Sequence, residues 1–151
     1  MVQIDNIEQT IATLNNLNAD TTPLWGGMTP QHMVEHLTVT IGASSGKMNL
    51  EQSSTPEEAA AAKQALIYSD MQIKQGVKNA LMGEGLPPYV NASLQDAISE
   101  LQTELQHFAS YYAANPSATH IQPRLGALKH DEWIIFHGKH FTHHFKQFGL
   151  I

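Results

Sequence analysis

The chain has 151 residues, 42% of them hydrophobic, and a formal net charge of −6 with its nine histidines counted neutral. That length is one ordinary domain with enough apolar mass for a core, and its eight Lys and Arg are scattered, which argues against the concentrated positive surface that nucleic acid or an anionic membrane demands. With no cysteine, disulfides, thiolate metal sites and a cysteine nucleophile are excluded.

The opening stretch MVQIDNIEQT has neither a basic n-region nor an apolar h-region, so no signal peptide is expected. No apolar run approaches the roughly 20 residues that span a bilayer, and the expected compartment is the cytoplasm. The first helix is expected after Asp5. Ile4, Ile7, Ile11, Leu14 and Leu17 repeat at helical spacing, and Asp5 with Glu8 reads as a variant capping box. The second helix starts at Thr29, whose hydroxyl is a good N-cap, with Pro30 at the first helical position. Met33, Leu37 and Ile41 form its apolar face, and it is expected to run to about Ala43.

An extra helix follows, capped by Thr55 with Pro56 first and Glu58 closing a capping box, and ends before Gly76. GEGLPPYVN then reads as a Gly/Pro loop. The third long helix begins after Ser93 and carries Leu94, Ile98, Leu101, Leu105, Phe108 and Tyr112 on one stripe until Asn115-Pro116 breaks it. ATHIQPRLGALK reads as a loop, and the fourth helix spans about His130 to Phe148, stopped by Gly149. These elements predict an all-α single domain over residues 1–151, a four-helix bundle. The long connection frees helices two and three to run parallel, giving up-down-down-up order.

The last helix holds the chemistry. His137, His140, His143 and His144 fall within eight positions. Trp133, His137, His140, Phe141, His144 and Phe148 follow the inward-facing spacing. Residues four apart stack on one helix face, so His140 and His144 form an inward pair able to hold one divalent ion. His36 borders the core face of helix two and is the candidate third ligand. Three imidazoles with an open position describe a catalytic site rather than a closed structural one. The other reading of the same spacing is a hydrogen-bonded core cluster without metal. His137 stands as an orienting partner, an alternative ligand or a plain core residue. His143 lies about 100° around the helix from His144, toward a seam or solvent. His32, in the first turn of helix two, reads as exposed or, with His137 and His143, as a pocket residue beside the ligands; His107, His120 and His130 read as surface or loop residues. Trp25 and Trp133 read as core anchors. Asp131 and Glu132 occupy a helix N-terminus, where carboxylates suit the dipole. No phosphate loop, nucleophile elbow or evident general base is present.

LWGGMTPQHMVEHL, followed far downstream by LGALKHDEWIIFHGKHFTHHFKQFG, resembles the DinB-like superfamily, in pattern a small uncharacterised bacterial branch. The matching positions are Trp25, Gly26 and Met28; His36; then Glu132, Trp133, Lys139, His140, His143, His144, Gln147, Phe148 and Gly149. The loop before the last helix departs from the branch's H-P-x-F-G, with Gln122 before Pro123 and Leu125 in place of an aromatic, and Lys129 stands where a Ser/Thr cap is expected. The resemblance implies an up-down-down-up bundle with its metal on His36, His140 and His144. It implies Ni, Zn or Fe as the ion, hydrolase or thiol-dependent S-transferase chemistry on a small molecule, a low-molecular-weight thiol as co-substrate, and a homodimer. The competing expectation is a non-enzymatic small-ligand-binding or stress-associated bundle; an interaction module is a third.

Overall fold

The computed structural model describes residues 1–76 and 85–151. Among these the chain is mostly helical: α1 Ile7–Leu14, α2 Pro30–Ser44, α3 Pro56–Ile67, α4 Leu94–Ala114 and α5 His130–Gln147, with β1 Thr119–Gln122 and β2 Gly126–Lys129 between α4 and α5. No helix among the described residues is long and apolar enough to cross a membrane. Gly83 and Glu84 of the expected Gly/Pro loop lie outside the described residues.

Helix starts follow the local chemistry. Thr29 accepts from the His32 N–H, Thr55 and Glu58 complete a reciprocal capping box, and Ser93 accepts from the Asp96 N–H. At α1 the cap is Asn6, which accepts from the Gln9 N–H, not Asp5. The longer side chain of Glu132 makes good the missing cap on α5 by accepting from the Lys129 N–H at 3.0 Å.

The expected loop before α5 is instead an antiparallel hairpin, pairing Thr119 with Lys129 and Gln122 with Gly126. Its strands are too short to show an alternating pattern, and Pro123 masked the turn as an ordinary break. Gly126 has φ 74°, a left-handed conformation that glycine adopts without strain. Leu125 and Leu128 are buried and tie the hairpin to the core.

Polar contacts fix helix directions. At one end Gln31 and Glu35 of α2 hold Asn91, just before α4; at the other the Tyr112 hydroxyl of α4 donates to the Ser44 carbonyl of α2. So α2 and α4 run the same way, and theirs is the most extensive helix–helix contact. α5 runs against both: His137 meets Ser44, His140 meets His36, and Gln147 meets the Trp25 carbonyl ahead of α2, while His130 stacks on Tyr112 of α4. The core between them is Leu14, Met33, Leu37, Ile41, Ile98, Leu101, Leu105, Phe141 and Phe145, with Trp133 at the α5 entry. Trp133 is the anchor its type predicts; Trp25 is only half-buried and lies over the end of α5.

Candidate metal centre

The inward pair and the α2 histidine converge. His36 Nε2 lies 2.9 Å from His140 Nε2, which lies 3.1 Å from His144 Nε2. One ligand atom from each of the three residues falls within 4.8 Å of the others. The rings stand edge to face, with centroids 4.8 Å apart for His36–His140 and 5.1 Å for His36–His144.

The protons can be assigned from the neighbours. Gln147 gives its amide N–H to the Trp25 carbonyl at 2.8 Å, so its amide oxygen faces His144 Nδ1 at 2.7 Å. Nδ1 must therefore carry the proton, and neutral His144 presents a bare lone pair at Nε2. The approach that makes this possible is tight: a Cβ on Gly26 would stand 2.9 Å from the Gln147 amide nitrogen, and Gly26 has φ 78°. The Trp-Gly pair ahead of α2 thus sets the tautomer of a histidine far along the chain.

Burial keeps the imidazoles neutral. It pushes His36 down to about 4, with nearby His143 adding to the effect. It pushes His144 down to about 3, aided by His36 and opposed by the Gln147 bond, and holds His140 well below the ordinary histidine value, aided by His144 and His36. Neutral imidazoles are what a metal requires. A single proton on His140 Nε2 can align with only one of its two close neighbours, whereas a cation at the focus satisfies three lone pairs together. Nitrogens about 2.1 Å from a common ion at adjacent corners stand roughly 3.0–3.4 Å apart, close to the His36–His140 and His140–His144 separations of 2.9 and 3.1 Å, and an all-imidazole set suits Zn, Ni and Fe.

The remaining histidines take other roles. His137 is fully buried. Ser44 gives its hydroxyl proton to the Ile41 carbonyl, so the Ser44 oxygen accepts from His137 Nε2 at 2.8 Å. The ring stacks on Trp133 and meets Phe108 and Phe136 edge-on, and its hydrogen bond goes to Ser44 rather than to a neighbouring imidazole. The Nδ1 atoms of His137 and His140 are buried without a partner among the described residues. His143 donates from Nδ1 to the Ile73 carbonyl at 3.3 Å and packs against Trp25. His32 is buried, not exposed: its ring bridges the Thr29 hydroxyl and the Pro87 carbonyl and lies on Tyr89, because the 85–92 loop returns over the first turn of α2. His120 bonds the Tyr111 hydroxyl at 2.8 Å, so it and the stacked His130 are half-buried packing residues.

On α5, two charged residues were not singled out as buried. Glu132 is only 4% exposed and takes bonds from Tyr68, Lys63 and the Lys129 backbone, so its carboxylate does more than complement a dipole. Lys139 is 5% exposed and donates to the carbonyls of Leu66, Ser69 and Met71 at 2.6, 2.7 and 2.9 Å. Their seven-residue spacing on α5 was a visible signal; their partners, mostly backbone of a distant segment, were not. Comparison of the chain with family models, curated proteins and solved structures returned no match.

Proposed function

We propose that this chain is a DinB-like four-helix bundle in up-down-down-up order, formed by α1, α2, α4 and α5 with α3 in the crossover, and that His36, His140 and His144 hold a divalent cation, Ni, Zn or Fe. The parallel α2–α4 pair and the antiparallel α5 support the order. The observation that carries the metal reading is the convergence of three Nε2 atoms, one of them left bare by the Gln147 bond. A cation there supplies Lewis acidity, polarising a carbonyl or acidifying a water or thiol. The chain's own part is to hold three neutral imidazoles rigidly, to keep them from protons by burial, and to leave coordination positions open beyond its three ligands.

On this reading the protein acts on a small molecule as a hydrolase or, with a low-molecular-weight thiol, as an S-transferase. A homodimer and a cytoplasmic setting belong to the same proposal. Among the described residues no carboxylate touches the three ring nitrogens, so the reaction's base is left to substrate, thiol or water. The test is elemental analysis of untagged protein beside His140→Ala. About one equivalent of metal in the wild type, lost in the variant, is expected; a variant that keeps its metal refutes the ligand set.

A second reading rests on the same distances. At 2.9 and 3.1 Å the nitrogens are also within N–H···N range, so a metal-free, hydrogen-bonded cluster in a small-ligand-binding bundle is the alternative. It predicts a melting temperature indifferent to chelators, whereas bound metal stabilises the fold by an amount that rises with the logarithm of free metal over its Kd.

A further inference from the structure

Lys139 is a buried charge without a counter-charge. Three backbone carbonyls satisfy its hydrogen bonds, yet among the described residues no carboxylate pairs with it. Carbonyl dipoles soften the cost of burying an ammonium but leave its net charge in place. Beside it lies a cavity of about 200 Å³, with Trp25, Gln72, Gln75, His143 and Lys146 among its other walls. Two lysines, Lys139 and Lys146, line this space, and among the described residues no Asp or Glu does, in a chain whose net charge is −6. Trp25 Nε1, an N–H that can only donate, is buried without a partner among the described residues.

We propose that this cavity binds the oxyanion head of a small molecule, a carboxylate or a phosphate, held by the charges of Lys139 and Lys146 and by the indole N–H of Trp25. Its size suits a head group, since pockets for whole drug-sized ligands run from about 300 Å³ upward. Its position is informative. The His143 ring on its wall lies 5.1 Å, centroid to centroid, from that of His144, so the anion sits beside the imidazole cluster. The site stands on the cavity and its cations and does not require a metal.

The test follows the Trp25 indole N–H signal in ¹⁵N-labelled, untagged protein. Sodium phosphate and sodium acetate are titrated separately against chloride at constant ionic strength. A saturating shift is expected, and Lys146→Glu weakens it about tenfold or more, as loss of a charge-assisted contact does. Lys146 is exposed, so the reversal leaves the fold intact, which the remaining spectrum verifies. Saturation by phosphate alone assigns a phosphate head, by acetate alone a carboxylate, and by both a general oxyanion site. Linear shifts, or saturation indifferent to Lys146→Glu, overturn the proposal. The titration is repeated on His36→Ala: retained saturation places the anion in this cavity, and loss there moves it to the imidazole cluster and refutes the site.

Discussion

α5 presents two adjoining faces, both rich in titratable groups, and they solve burial in opposite ways. Along one, Glu132, Lys139 and His143 grip residues 63–73, with each charge surrounded by donors or acceptors of the opposite polarity. Along the other, His137, His140 and His144 are neutral, and two of the three leave a ring nitrogen without a partner. The gripping face has its hydrogen bonds made, with only the net charge of Lys139 left unbalanced: it fixes where α3 ends and the chain turns. The imidazole face is left with lone pairs to give. On one helix, incomplete satisfaction separates a site from a joint.

The largest effect is expected on the imidazole face. His140→Ala removes the middle ligand and should abolish both the metal and any fall in melting temperature on adding chelator, while the gripping face keeps α3 docked. If α3 came loose in this variant, measured by hydrogen exchange of its amides, the two faces would not be independent.

Acid separates them next. Burial holds His36 at about 4 and His137 and His144 at about 3, against an ordinary value of 6.5. The unfolded chain therefore binds protons that the folded one refuses. Their stabilisation is full above about pH 6.5 and shrinks as pH falls toward those folded values. For Glu132, burial pushes the carboxyl up, but the Tyr68, Lys129 and Lys63 bonds together outweigh it and leave it below 4.5. Its stabilisation is full above 4.5 and disappears as pH falls through the lower folded value. Urea unfolding of metal-free protein across pH should thus decline in two windows. His137→Phe should flatten only the upper one; unchanged stability from pH 7 to 5 would contradict it.

Glu132→Ala should cost about 2–3 kcal/mol, because it strips a buried carboxylate from Tyr68, Lys63 and the α5 cap at once. Metal content should stay at the wild-type level, which atomic spectroscopy checks. The smallest effect sharpens the contrast from the other side. Gln147→Leu leaves three ligands in place but frees the His144 tautomer, and metal affinity should fall about tenfold, at the lower end for lost outer partners. Competition with a coloured chelator reads this directly, and unchanged affinity would show that the amide only packs.

Three helix starts were legible because each is written in a few adjacent residues: Thr29-Pro30, Thr55-Pro56 with Glu58, and Ser93 with Asp96. The converging histidines were legible for a related reason. His140 and His144 share a face by spacing alone, and His36 borders an apolar stripe. What stayed hidden depends on partners far away. Nothing near His32 announces that Pro87 and Tyr89 will cover it. Lys139 looks like a surface lysine until residues 66–71 turn their carbonyls toward it. The hairpin escaped because four-residue strands carry too little alternation to stand out from a loop.

The chain's first residues lie against its last helix. The Val2 amide donates to the Thr142 hydroxyl at 2.7 Å, and a Cβ on Gly138 would stand 2.9 Å from the Val2 carbonyl. During synthesis, the amino-terminal segment therefore waits for a partner made long after it. Two of the three clustered imidazoles, the anchor for α3 and the dock for the amino terminus all arrive together with α5. Contacts of such wide sequence separation are slow to form, and partly made chains expose apolar surface that aggregates. A ribosome stalled before α5 would hold a chain able to pair α2 with α4 but lacking two of its three clustered imidazoles, the anchor for α3 and the dock for its amino terminus.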